Sequence, residues 1–166
     1  MSRLQSLNFK KLVDAYHTGL YRFAHCLSQD EQTASDLVQH TFFIYANKGA
    51  ESRENAALKI WFYATLYHEY VRQRAAPQVE TRKAKPAGAT RVKAENLSAF
   101  DGESTAALFA WVEEPLRAPL ALFYLRALTY REMAEALGTP VPELLEQVAA
   151  GKIRLKAILA QRAQRE

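Results

Sequence analysis

The sequence predicts an all-α fold of two small helical domains joined by a flexible basic linker, the C-terminal one a helix-turn-helix. Three observations carry this expectation. Apolar residues recur at steps of three and four, and no stretch alternates with the period of two that a strand needs. The middle of the chain is basic and poor in large apolar residues. Near the C-terminus a capping box, a stop glycine and a proline turn separate two apolar stripes. A length of 166 residues suits one medium domain or two small ones.

The helices follow in order. Phe9, Leu12, Val13, Tyr16, Leu20, Phe23, Ala24 and Leu27 form the first stripe. Ser28-Gln29-Asp30-Glu31 breaks it, and Ser28 with Glu31 has the spacing of a capping box. Ala34, Leu37, Val38, Thr41, Phe42 and Tyr45 form the second stripe, stopped by Asn47-Lys48-Gly49. The third runs from about Asn55 to Arg74 through Leu58, Trp61, Phe62, Thr65, Leu66 and Tyr70. The first domain therefore spans 1–74 and the linker 75–104.

The second domain spans 105–166. Ala107, Leu108, Trp111 and Val112 predict a short helix ending before Pro115. Leu116, Leu120, Phe123 and Tyr124 predict another, with Pro119 in its first turn, where a missing N–H costs least. Thr129 and Glu132 have capping-box spacing, Met133, Ala134 and Leu137 follow, and Gly138 sits at a C-cap position. Thr139-Pro140-Val141-Pro142 makes a tight turn, with Pro142 suited to the first position of the next helix. That helix carries Leu144, Leu145, Val148, Leu155 and Leu159.

Composition excludes several classes. With 49% hydrophobic and 24% charged residues the chain is globular rather than disordered. A single cysteine, Cys26, rules out a disulfide framework and a four-thiolate zinc site, and suits a reducing compartment. The opening MSRLQSLNFKK holds no apolar run of signal-peptide length, and no stretch has the roughly 18 apolar residues of a membrane span. A cytoplasmic protein with no membrane insertion is expected. His17, His25, His40 and His68 have no ligand spacing with Cys26, and no Gly-rich phosphate loop occurs. No metal, cofactor or catalytic residue is therefore expected, and the chain does not read as an enzyme.

The net charge of +4 is unevenly spread. Between positions 72 and 93, seven cations (Arg72, Arg74, Arg82, Lys83, Lys85, Arg91, Lys93) face Glu80 alone, a net +6. From 106 to 146 the balance is −3, and from 147 to the end +4. Trp61, Tyr63, Tyr67 and Tyr70 interleave with Lys59, Arg72 and Arg74. Aromatic platforms beside a cationic track are what single-stranded DNA binding asks for. At this point a core role for Trp61 remains open.

Five strings resemble the extracytoplasmic-function group of bacterial RNA polymerase sigma factors over nearly the whole chain. They are YHTGLYRFAHCL (16–27), ASDLVQHTFF (34–43), WFYATLYHEYVRQR (61–74), LRAPLALFYLRALTYREMAEALG (116–138) and GKIRL (151–155). The second is the most specific, close to the family's A-x-DLVQETF. The resemblance implies a first domain that docks on core polymerase and reads and melts the −10 promoter element. It implies a second domain that contacts the −35 element.

Carried over position by position, it implies polymerase docking through Asp36, Leu37, Gln39, Thr41 and Phe42. For Leu37 and Phe42 a place in the core is equally open. It implies −10 contact by Lys59, Trp61, Tyr63, Tyr67, His68, Arg72 and Arg74. For the −35 element the implied contacts are Arg131, Glu143, Gln147, Lys152, Arg154 and Lys156.

The sequence departs from the family at four places. His40 stands for the usual Glu, His68 for the usual Asn, and Ala150 where Arg is common. The presumed recognition helix begins Pro142-Glu143-Leu144 and continues Glu146-Gln147, instead of Gly-Thr-Val and Ser-Arg. Carboxylates there suit a helix N-terminus and oppose a polyanion, although Glu can accept from a cytosine amino group. Two functions are therefore carried forward. One is a sigma factor with core polymerase, promoter DNA and an anti-sigma factor as partners. The other is a sigma-like regulatory protein that binds an anti-sigma factor or polymerase without promoter-specific initiation.

Overall fold

A computed structural model describes residues 3–48, 55–75 and 102–164. They form seven α-helices and no strand: α1 (Arg3–Ser28), α2 (Glu31–Asn47), α3 (Asn55–Ala75), α4 (Gly102–Phe109), α5 (Glu114–Leu125), α6 (Tyr130–Leu137) and α7 (Val141–Ala163). The all-α expectation holds. Most of the segment read as linker, 76–101, lies outside the described residues. Its edges are helical, because α3 runs to Ala75 and α4 begins at Gly102.

The first three helices enclose an aromatic cluster. Phe62 of α3 is fully buried, with ring centroids 5.2 Å from Tyr16 and Phe42 and 5.3 Å from Tyr45. Phe9 meets Phe42 edge-on at 6.3 Å, which ties α1 to α2. Gly19 lets α1 approach α3 closely: a Cβ there would lie 2.5 Å from the Tyr63 hydroxyl oxygen.

The α1–α2 break differs from the expected capping box. Gln29 takes a left-handed φ of 60° and Asp30 is the N-cap. The Asp30 carboxylate accepts from the Thr33 backbone N–H at 2.8 Å and from its hydroxyl at 2.6 Å. Asp at this position accepts two donors with a charged oxygen, which Ser28 two residues earlier does not reach.

In the second group, α4 ends at Phe109, so Trp111 lies beyond it and is exposed, while Phe109 is fully buried. Pro115 takes the first-turn place of α5, and Pro119 lies inside the helix and is buried. The expectation for Pro119 was off by one turn, because α5 begins at Glu114. Thr129 and Glu132 form the full capping box expected of α6. Gly138 ends α6 with φ 65°, a conformation glycine adopts without cost. Pro142 sits in the first turn of α7, one residue after Val141. Leu145, expected in the apolar stripe, is exposed, whereas Gly151 and Ile158 are buried. Gly151 brings α7 against α5, since a Cβ there would meet Leu120 at 3.1 Å.

The two helical groups are packed together. α1 contacts α4 and α5, and α3 contacts α6. Buried residues of all seven helices belong to one connected apolar core.

Candidate functional site

The α2 candidates divide by face. Asp36 and Gln39 are exposed, and Gln32 Nε2 donates to Asp36 Oδ1 at 2.9 Å. Leu37, Thr41 and Phe42 are buried, and the Thr41 hydroxyl donates to the Leu37 carbonyl at 2.7 Å. These three hold α2 in the core and present no surface. Phe43, which the motif reading passed over, is 61% exposed. Its ring lies 6.3 Å from His40, whose Nε2 is 3.3 Å from Glu69 on α3. Thr41 and Phe42 already fill the core face of this turn, and a third successive residue lies about 200° round the helix from Thr41, so the order Thr41-Phe42-Phe43 carries that signal.

The α3 candidates also split. Tyr63 is 4% exposed and Tyr70 is 7% exposed, so neither ring offers a free stacking face. Burial pushes the Tyr63 hydroxyl up to about 12. Tyr67 and Lys59 are half-buried, and burial, followed by the Glu114 charge, raises the Tyr67 hydroxyl as well. Trp61 is half-buried and packs edge-on against Tyr45 at 5.8 Å. It shares an outward row with His68 and Arg72, which are exposed, at steps of seven and four. Arg72 donates to Glu69 at 2.6 Å. The interleaved pattern is thus one outward row of Trp61, His68 and Arg72 and one inward row of tyrosines.

On α6 and α7, Arg131, Glu143, Arg154 and Lys156 are exposed, and Gln147 and Lys152 are half-buried. Gln147 Nε2 lies 3.4 Å from Glu143 Oε1, one turn away on the same helix. Lys152 Nζ sits 3.9 Å from the centre of the Phe123 ring, a cation–π contact. Arg154 Nε is 3.8 Å from Glu113. The exposed surface of α7 also carries Val141, Leu145 and Ile153, the last 71% exposed. The start of this helix therefore offers apolar and acidic groups, and its cations lie later.

A polar junction that sequence reading missed joins the two groups. Arg74 at the end of α3 pairs with Glu114 at the start of α5. The Tyr70 hydroxyl lies 2.8 Å from Glu114 Oε1 and 2.9 Å from the Leu27 carbonyl, and it accepts from Arg74 at 2.9 Å. Burial and the Glu114 contact hold that hydroxyl above its ordinary range. Arg117, one turn into α5, donates to the carbonyls of Val112 at 2.8 Å and Ala110 at 3.2 Å. Its other arm is 3.5 Å from the Leu27 carbonyl and 3.5 Å from Glu114. Carbonyls at helix ends lack helical partners, and a guanidinium satisfies several at once. The contacts of Tyr70 and Arg74 with Glu114, and of Arg117 with Leu27, join residues 40 or more apart in sequence, and no local motif announces them.

Among the described residues no group of three or more His, Cys, Asp and Glu is placed to hold a metal ion. Cys26 is buried, which pushes its thiol up to about 12. No described helix is long and apolar enough to cross a membrane. No protein-family model matches the chain.

Proposed function

We propose that this chain is a cytoplasmic sigma factor of the extracytoplasmic-function group, which directs core RNA polymerase to promoters and supports initiation. It is a binding protein and not an enzyme. The observation that carries the reading is the α6–turn–α7 unit, with its complete capping box at Thr129 and left-handed stop at Gly138. This is the helix-turn-helix geometry in which the second helix enters a DNA groove. Two further features support it. Asp36 and Gln39 stand side by side on the exposed face of α2, ready for a polymerase surface. Trp61, His68 and Arg72 line the outer face of α3, where an unstacked base and its phosphate find a ring and a cation.

A second reading is favoured by one observation. Val141 and Leu145 are exposed beside Glu143 and Glu146 at the start of α7. Such a surface suits a protein partner, such as an anti-sigma factor, better than a polyanion. Reconstitution with core polymerase on a promoter library separates the readings. Complex formation with promoter-dependent transcription is expected, and the double variant Asp36→Ala, Gln39→Ala weakens the complex about tenfold, the loss of roughly one good polar contact. Binding without transcription from any promoter selects the second reading. No complex with core polymerase overturns the sigma-factor reading and the docking role of Asp36 and Gln39.

A further inference from the structure

We infer that the adjacent carboxylates Glu113 and Glu114 are an internal competitor for DNA, each occupying a cation that phosphate would otherwise take. The inference rests on the DNA-binding reading and adds a regulatory contact to it. Glu114 pairs with Arg74, the last cation of α3, and Glu113 pairs with Arg154, on α7. One residue pair at the start of α5 thus engages a cation from each surface proposed to meet promoter DNA.

The geometry favours a contact that holds and releases. All four side chains are between 42% and 66% exposed, so solvent screens both pairs and each is individually weak. The N-terminus of α5 favours negative charge at these two positions, which helps to hold both side chains in place. A polyanion offers many phosphates together and gains from released counterions, so it displaces isolated carboxylates. Arg117 keeps its Val112 and Ala110 carbonyls whether or not Glu114 is charged. Tyr70 likewise keeps the Leu27 carbonyl. The junction therefore has fastenings that do not depend on the two ion pairs, and the cations are released without unfolding the helices.

The test is DNA binding by the full-length chain, read by fluorescence anisotropy on labelled mixed-sequence duplex and single-stranded DNA across a salt series. Glu113→Gln and Glu114→Gln are measured singly and together, with Asp14→Asn, exposed on α1, as a control of equal charge change. Each freed cation is expected to steepen the slope of log affinity against log salt by about 0.9 on duplex and about 0.7 on single strands. At low salt each gives about threefold tighter binding, and the double variant about tenfold. Unchanged slopes, or a control that gains as much as the variants, overturn the inference and leave the DNA-binding reading standing. No DNA binding by any form overturns both. Glu113→Gln alone keeps the test decisive if Glu114→Gln lowers the melting temperature, because Glu113 is 66% exposed and makes no capping bond.

Discussion

Burial of single side chains decides most of what each candidate residue does. Leu37 and Phe42 had two possible roles from their motif, and both belong to the core. Tyr63 belongs there too, and its neighbour Gly19 shows how tightly. An alanine in a helix is ordinarily worth about 1 kcal/mol over glycine. At position 19 the new methyl would lie 2.5 Å from the Tyr63 hydroxyl oxygen, and overpacking of that kind costs about 1–3 kcal/mol. Gly19→Ala is therefore expected to destabilise the chain in urea denaturation. Combined with Tyr63→Phe, which removes the obstructing oxygen, it should recover the loss. A double variant as unstable as the single one would show that the close approach is not the cause.

At the scale of elements, helices with strong local signals were legible and their junctions less so. The Thr129–Glu132 capping box and the Gly138 stop were read correctly because every partner lies within one turn. At the α1–α2 break the spacing points one motif too early, to Ser28 instead of Asp30. Ser28 and Glu31 have the right spacing, but Asp30 offers the better acceptor to Thr33. Spacing alone puts Leu145 and Trp111 in apolar stripes, yet both are exposed, because helix register and end points set the face. The hydrogen bonds of Thr33, side chain first and backbone second, hold the Asp30 carboxyl below its ordinary 3.8. A depressed carboxyl stabilises the fold above its unfolded pKa and loses that contribution as pH falls through the lower folded value. Asp30→Ala should cost about 1 kcal/mol at neutral pH. The difference in melting temperature from the parent should shrink on acidification below about pH 4. A gap constant down to strongly acid pH would remove Asp30 as the cap.

Over the whole molecule, the described helices on both sides of positions 76–101 share one apolar core. Their mutual packing is not legible in the sequence, because it rests on Tyr70 meeting Glu114 and Arg117 meeting the Leu27 carbonyl, pairs 44 and 90 residues apart. The net +4 is likewise less informative than its arrangement. Arg74, Arg72 and Arg154 each face a carboxylate in this fold. One buried atom makes this state observable. Cys26 is the sole thiol, is fully covered, and is pushed up to about 12. Thiolate is the reactive form, so a maleimide or disulfide reagent at neutral pH should modify the native chain far more slowly than the unfolded one. If modification waits on opening of the fold, its rate divided by the unfolded-chain rate gives the opening equilibrium directly. Prompt labelling under native conditions would show that α1 is not held as described. The chain thus carries its own stopwatch for conformational opening, in a position where no engineered label is needed.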